Sequence, residues 1–375
     1  VVATRQSNAG RLVPLDLLRG LMTTLMALDH TSYFVAQKHP AGEYWAGPFP
    51  TYDSALPFLT RLVTHLAAPG FFLLMGAGMS LFARSRLAQG WRRRAVIRHF
   101  ILRGTMLVAL QFLIINQVWE LSPGGWQLDL YVGVIAALGG TMIIASLLVW
   151  LPPSQLVLLA AALLIGTELA VPDATRWSQG LSVAARLTVT SGGDNHLWSN
   201  YPLLAWLELV TFGMAVGYWL QRDPQRLYRS LPLVGAAFLV LFTAIRVLDG
   251  FGNLRPRAGD GWIDFFNVVK YPPSIAFTLL TTGLNLILLG LIGAASARRP
   301  RLLAPFGILG RAPLFFYVTH LFLYAGLGRW LAPRGTSILA MIPYWLLGLL
   351  LLLPLCGWYG RLKHRQPAAS TLRFF

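Results

Sequence analysis

The sequence predicts an all-α polytopic membrane bundle of about ten transmembrane helices with both termini cytoplasmic. Three observations carry this. Of 375 residues, 55% are hydrophobic and only 12% charged, where soluble domains carry about 25% charged residues. The mean hydropathy of +0.58 comes with several apolar runs longer than the roughly 18 residues that mark a spanning helix. The net charge of +17 is concentrated in the shorter connections on one face.

The elements follow in order. A short polar and basic tail, residues 1–13, shows no cleavable signal pattern, so the first span (14–36) is expected to be retained. The second (55–83) stops at Arg84, and the third (97–118) follows the basic stretch around Arg92, Arg93, Arg94 and Arg98. Pro152 and Pro153 separate 128–151 from 154–171. Next come 201–221, 230–248, 273–296 and 303–327. The last span, 336–358, holds the leucine run 346–353 and the sole cysteine, Cys356, which is read as packing among apolar side chains. Residues 14–358 form one integral domain, and 359–375 a second cytoplasmic tail.

Taking the N-terminus as cytoplasmic, one face receives Arg5, Arg11, the arginines from Arg84 to Arg98, Arg222, Arg226 and Arg229. It also receives Arg298, Arg299, Arg301, Arg361, Lys363, Arg365 and Arg373. These exceed the cations of the opposite, longer loops, Arg246 among them, by roughly two to one, which orients the chain. The positive charge therefore serves topology and contact with anionic lipid rather than nucleic acid. The two longest connections, about 172–200 and 249–272, fall on the outer side and read as covers or linkers. With no Asn-x-Ser/Thr acceptor present, a bacterial inner membrane is the simplest location.

Ionisable groups within spans cost about 2.5–3.5 kcal/mol each, so they usually face the bundle interior and mark a site. Arg19 and His30 lie eleven residues apart in the first span. That spacing returns to within about 20° of the same helix face and separates them by about 16 Å along the axis. Asp16 precedes Arg19 by three residues and can pair with it; Asp29 borders the same stripe. His65 in the second span and His320 in the ninth lie at a similar depth to His30. Glu208 is within the sixth span, and Lys270 with Tyr271 opens the eighth. At the inner level, Arg19, Arg103 and Arg311 suit a polyanion such as the phosphates of a nucleotide-type molecule. Arg311 and His320 would face opposite sides of an unbroken helix, an expectation that Pro313 complicates.

Other features read as structural. Trp119, Trp126, Trp150 and Trp330 suit interfacial belts, and Gly76, Gly78 and Gly104 suit close helix packing. There is no Gly-rich phosphate loop, paired-cysteine motif or His-Glu-x-x-His pattern, and the histidines offer no i, i+4 ligand pair, so no metal is expected.

Four segments carry a resemblance. They are Arg19-Gly20-Leu21 through Asp29-His30, Thr64-His65 through Pro69, Lys270-Tyr271-Pro272-Pro273-Ser274, and Gly310-Arg311-Ala312-Pro313-Leu314-Phe315-Phe316-Tyr317. Together they resemble the bacterial branch of the heparan-alpha-glucosaminide N-acetyltransferase catalytic-domain family, from about residue 11 to Pro354-Leu355-Cys356. The Arg-to-His spacing of Arg19 and His30 is also similar to the signature of the wider transmembrane acyltransferase superfamily. The resemblance implies transfer of an acetyl or other short acyl group from cytoplasmic acyl-CoA to a sugar on the far side, and it implies a homodimer. By it, Arg19 helps hold the donor and His30 sits at the transfer point. Lysosomal relatives carry Asn near the His30 position and a catalytic His farther along, for which His39 is the nearest residue here, though only with a gap.

The expectation is therefore an acetyl-CoA-dependent membrane acyltransferase acting on a sugar amine or hydroxyl of an extracytoplasmic glycan or glycolipid. His30 serves as general base, with Asp29, His65 and His320 in support. Asp29 or Glu208 would orient the base, and His65, His320 or a backbone amide would stabilise the oxyanion. Arg19, held by Asp16, joins Arg103 and Arg311 on the donor. Glu208, Lys270, Tyr271 and His39 are candidates for the acceptor. The rival is a proton-coupled transporter or channel whose intramembrane His and Asp relay protons.

Overall fold

The computed structural model describes residues 12–40, 42–122, 125–126, 128–177, 180–296 and 300–366. Arg5, Arg11, Arg298, Arg299 and Arg373, which enter the charge asymmetry, lie outside the described residues. The architecture is all-α. Among the described residues, seven helices are long and apolar enough to cross a membrane, or up to eight when a bent pair counts as one span.

Helix α1 (Val13–Thr31) starts on Pro14, whose missing N–H costs nothing in a first turn. It carries Asp16, Arg19 and Asp29, continues as a π-helical turn (Ser32–Ala36), and stops where Gln37 turns left-handed at φ 55°. The second segment is α2 (Ala55–Thr64) followed by α3 (Ala67–Ala88). The break falls at His65-Leu66 because Pro69 offers no N–H to the His65 carbonyl. Helix α4 (Arg93–Leu110) passes through a second π turn (Gln111–Ile115) into the short α5 (Asn116–Trp119). Strand β1 (Tyr131–Val132) precedes α6 (Val134–Leu148), which is apolar but shorter than a standard span. Helix α7 (Pro153–Ala170) follows the double proline.

The connection after α7 is built rather than loose. It contains α8 (Val183–Thr188), β2 (Gly192–Gly193) and β3 (Trp198–Ser199), and the strands form a small sheet in the order β1-β3-β2. Helices α9 (Leu203–Arg222) and α10 (Pro224–Leu248) come next, the latter capped by the Asp223 side chain. The following connection holds α11 (Trp262–Phe266). It is pinned by Arg246, which is fully buried and donates to Asn253 Oδ1 (2.5 Å) and to the carbonyls of Asp264 (2.6 Å) and Phe265 (2.7 Å). Arg246 is thus an anchor rather than a loop cation, and both long connections are structured caps rather than linkers.

Helix α12 (Ile275–Ala295) is capped by Ser274. The ninth segment is not one helix: α13 (Pro300–Arg311) and α14 (Pro313–Leu331) meet at 86°. Pro313 cannot continue the ladder, and Ala312 leaves the helical region at φ −128°, ψ 49°. Helix α15 (Ile342–Arg365) runs further than the expected last span, into the segment read as a tail.

Helix pairs α3 with α9, α10 with α12, α4 with α6 and α1 with α13 pack along their lengths. Small residues set the closest approaches. A Cβ on Gly20 would lie 1.8 Å from the Phe306 carbonyl oxygen, and one on Gly310 would lie 1.8 Å from that of Asp16. Gly76 and Gly104 also sit against neighbouring backbone, but Gly78 meets nothing within 4 Å and faces a cavity instead.

Candidate active site

The α1–α13 contact decides what meets what. Because Gly20 and Gly310 let the two backbones touch, Arg19 and Arg311 are carried to the same wall. Arg19 Nη1 donates to Asp16 Oδ1 (2.8 Å) and to the Gly310 carbonyl (3.1 Å), so its guanidinium is held from both helices. The pairing of Arg19 with Asp16 expected from their spacing is present. The 86° elbow then turns the chain immediately after Arg311, so the straight-helix geometry for Arg311 and His320 does not apply.

Arg19 and His30 line one cavity of about 420 Å³, together with Asp29, Thr64, Arg103, Tyr201, Lys270, Arg311, Tyr317 and Lys363. That volume lies within the range of about 300–1,000 Å³ typical of small-molecule sites. Methionines and aromatics, Met75, Met79, Phe82 and Phe100 among them, complete the wall between the two polar ends. Arg103 lines this space with its Nε buried and, among the described residues, without a hydrogen-bond partner. At this end, three guanidinium groups and the Lys363 ammonium face a shared volume. The guanidinium groups suit phosphate oxygens, which they take in pairs of parallel bonds.

At the other end the bonds are closed. His30 Nδ1 lies 2.7 Å from His320 Nε2, and His320 Nδ1 lies 2.9 Å from the Phe316 carbonyl oxygen. A carbonyl only accepts, so His320 carries its hydrogen on Nδ1 and presents Nε2 as an acceptor. With both rings neutral, His30 must then donate from Nδ1, which leaves the lone pair on its Nε2. That atom has no hydrogen-bond partner among the described residues, and His30 lines the cavity. Trp119 packs edge-on against His30, with ring centroids 5.9 Å apart, and stacks on Phe34. It is a buried wall of the site rather than an interfacial residue, because the two π turns fold its helix back onto the end of α1.

Asp29 does not hold His30. Its Oδ1 accepts from Arg61 Nη1 (2.5 Å) and from Thr64 Oγ1 (2.8 Å). Arg61, only 4% exposed, also donates Nε to Glu43 Oε1 (2.7 Å) and Nη2 to Glu43 Oε2, and its Nη1 donates to His39 Nε2 (3.0 Å). His65 Nε2 donates to Glu43 Oε1 (2.9 Å), leaving Nδ1 buried without a partner. Burial opposes the ionisation of Glu43, yet Arg61 and His65 together hold its carboxyl well below the usual range. Glu43 and Arg61 are the hub that the sequence reading missed. The available signal was Gly42-Glu43-Tyr44-Trp45, an acid among aromatics in a chain with only 14 acids.

The Glu43 backbone fixes the next element. Its carbonyl accepts from both Lys270 N and Tyr271 N, each at 3.1 Å, and Trp45 N donates to the Tyr271 carbonyl (3.0 Å). Lys270 is 4% exposed and reaches the cavity from this loop. Burial lowers its ammonium to about 8; the Arg61 charge adds to the shift, and Asp29 and Glu43 oppose it. Tyr271 lies behind it, its ring stacked on Tyr44.

The structure therefore gathers Asp29, His30, Arg19, Arg103, Arg311 and Lys270 on one cavity, with Asp16 and His320 directly behind two of them. His39 and His65 belong to the Arg61–Glu43 hub, and Tyr271 lies behind the wall. Glu208 stands apart, accepting from Thr278 Oγ1 (2.7 Å) between α9 and α12, with Oε2 unpartnered. Among the described residues, no group of three or more His, Cys, Asp or Glu is placed to hold a metal ion.

Against this geometry, the family model described as heparan-alpha-glucosaminide N-acetyltransferase, catalytic, matches residues 11–246, more than half of the chain. The chain belongs to that family. No curated protein in the comparison matches it. Membership places the chain among the membrane acetyltransferases and agrees with its long apolar helices. The match covers Arg19, His30, the Arg61–His65 segment and Arg103, and it stops before the Lys270 loop and the α13–α14 elbow.

Proposed function

We propose that this protein moves an acetyl group from cytoplasmic acetyl-CoA to an amine or hydroxyl of a sugar on an extracytoplasmic glycan or glycolipid, in a bacterial inner membrane. Arg19, Arg103 and Arg311 bind the donor phosphates, and Asp16 keeps Arg19 in place. His30 is the general base. His320 sets its tautomer and ring direction, so that the Nε2 lone pair meets the attacking N–H or O–H. Asp29, through Arg61, and the Glu43 hub fix the wall around it. The acceptor enters from the Lys270 and Tyr271 side. The basic ends of the spans contact anionic lipid on the cytoplasmic face.

One observation supports this above all: a single cavity joins a polyanion-binding end to an imidazole with an available lone pair. The test is coenzyme A release by the purified chain, given acetyl-CoA and a mixed pool of amino sugars and glycans. His30→Ala should lower turnover by about 10²–10⁴-fold while the protein reaches the membrane in normal yield. Full activity of that variant removes the assignment. Proton-driven solute flux with no thioester consumption would instead identify a transporter.

A further inference from the structure

We propose that the Lys270 ammonium stabilises the negative charge that develops on the thioester carbonyl oxygen during transfer, an assignment that rests on the acyltransferase reading above. Acyl transfer needs a fixed donor or cation at that oxygen, and it acts most strongly where water is excluded. The two histidines expected to serve are otherwise committed. His65 faces Glu43 and does not line the cavity, while His320 uses one nitrogen on His30 and the other on the Phe316 carbonyl. The Thr64 hydroxyl is engaged by Asp29, and the Tyr201 phenol lies 3.5 Å from that of Tyr271.

Lys270 differs from all of these. It lines the same cavity as His30, and its Nζ makes no hydrogen bond or ion pair among the described residues. Its Nζ lies 5.0 Å from the centroid of the Tyr271 ring. Arg61 bonds both Asp29 and Glu43, so the two acids at this end are satisfied without Lys270. The Lys270 backbone is tied to the Glu43 carbonyl, and the Ser274 N–H bonds the Val269 carbonyl (3.1 Å), closing the loop around it. The loop that carries the cation is thus fixed before substrate arrives, and its Nζ has capacity to spare.

The step balances without a further reactant. The acceptor nitrogen or oxygen attacks the carbonyl carbon, and His30 Nε2 takes its proton. A C–N or C–O bond forms, and the C–S bond breaks. The electron pair held briefly on the carbonyl oxygen beside Lys270 returns to the C=O bond, and the proton on His30 passes to the departing sulfur. Lys270 keeps its protons throughout.

The experiment uses the full chain purified in detergent, with acetyl-CoA and a glucosamine-containing acceptor pool. Lys270→Met should lower kcat by about 10²–10³-fold, with acetyl-CoA affinity by calorimetry within about threefold of the parent. Lys270→Arg should recover part of the rate and move the alkaline limb of the pH profile, expected near 8, upward. Arg61, Asp29, Glu43, His30, His65 and Tyr271, the charged and titratable groups that face Lys270, are unaltered in both variants. The assignment is overturned if Lys270→Met retains kcat within about threefold, or loses rate only through weaker acetyl-CoA binding. It is equally overturned if Tyr317→Phe takes the loss instead. Should Lys270→Met melt below the parent, the limb in Lys270→Arg decides, and an unmoved limb refutes the proposal. If the unsubstituted chain releases no coenzyme A with any acceptor, the acyltransferase reading fails as well, an outcome distinct from failure at Lys270 alone.

Discussion

The two ends of the cavity are built on opposite principles. Around Asp29, Arg61 and Glu43 the carboxylates are matched, though the Lys270 ammonium beside them is not: one guanidinium spans two carboxylates, and Thr64, His39 and His65 take up much of what is left. Around Arg19, Arg103 and Arg311, cations gather with one acid, Asp16, and Arg103 Nε has no partner. A closed network gives rigid geometry, because breaking any bond strands a buried charge. An open set of cations gives binding, since the missing partners arrive with the ligand. The comparison teaches that the histidine end is the rigid one and the arginine end the one with donors to spare, the division of labour that the proposed function requires.

Substitutions should separate the two ends. The largest effect is expected at the hub: Glu43→Ala leaves Arg61 without half its partners and should destabilise the fold by about 3–5 kcal/mol, read as a fall in melting temperature in detergent. Little change would mean that the network is ornamental and the contrast false. Next, His320→Phe removes the acceptor for His30 Nδ1 and should cost about 10²-fold in turnover with acetyl-CoA affinity unchanged; a loss confined to donor binding would contradict the tautomer argument. At the open end, Arg103→Ala should weaken acetyl-CoA about tenfold, near 1.4 kcal/mol, and leave the melting temperature where it was, because nothing in the fold depends on Arg103 Nε. A variant that melts early would show it to be structural. The smallest change is expected for Asp16→Asn: Arg19 retains the Gly310 carbonyl, and a partly exposed pair contributes about 0.2–1 kcal/mol. Donor affinity should then fall only a few-fold in a titration.

Much of this arrangement was legible in residue order. Arg19 and His30 share a face because helical periodicity is local, and their spacing alone set both direction and separation. Asp16 beside Arg19 followed from the same rule. The hub was not legible, since Glu43 lies in a connection whose depth is set by contacts with α2 and with the Lys270 loop, far away in sequence. Arg61 falls inside the expected second span, one turn from His65, and only the carboxylates it meets in space distinguish it. Trp119 and Gly78 were misread because composition places tryptophan at interfaces and glycine at helix contacts, whereas folding turned Gly78 to the cavity and packed Trp119 on the His30 and Phe34 rings. Pro313 signalled trouble in the ninth segment, but the angle of the turn depends on how α13 is clamped to α1.

The imidazole pair has one more consequence. Its chain of hydrogen bonds terminates on a main-chain carbonyl, Phe316 O, and an amide oxygen does not take over a proton near neutral pH. Among the described residues no onward acceptor follows His320, so under the proposed function a hydrogen ion captured by His30 has a single doorway, the one by which it came. A conduit across the bilayer requires two. Under the proposed function the same dead end makes the pair a short-term store, returning what it borrowed to the atom that departs.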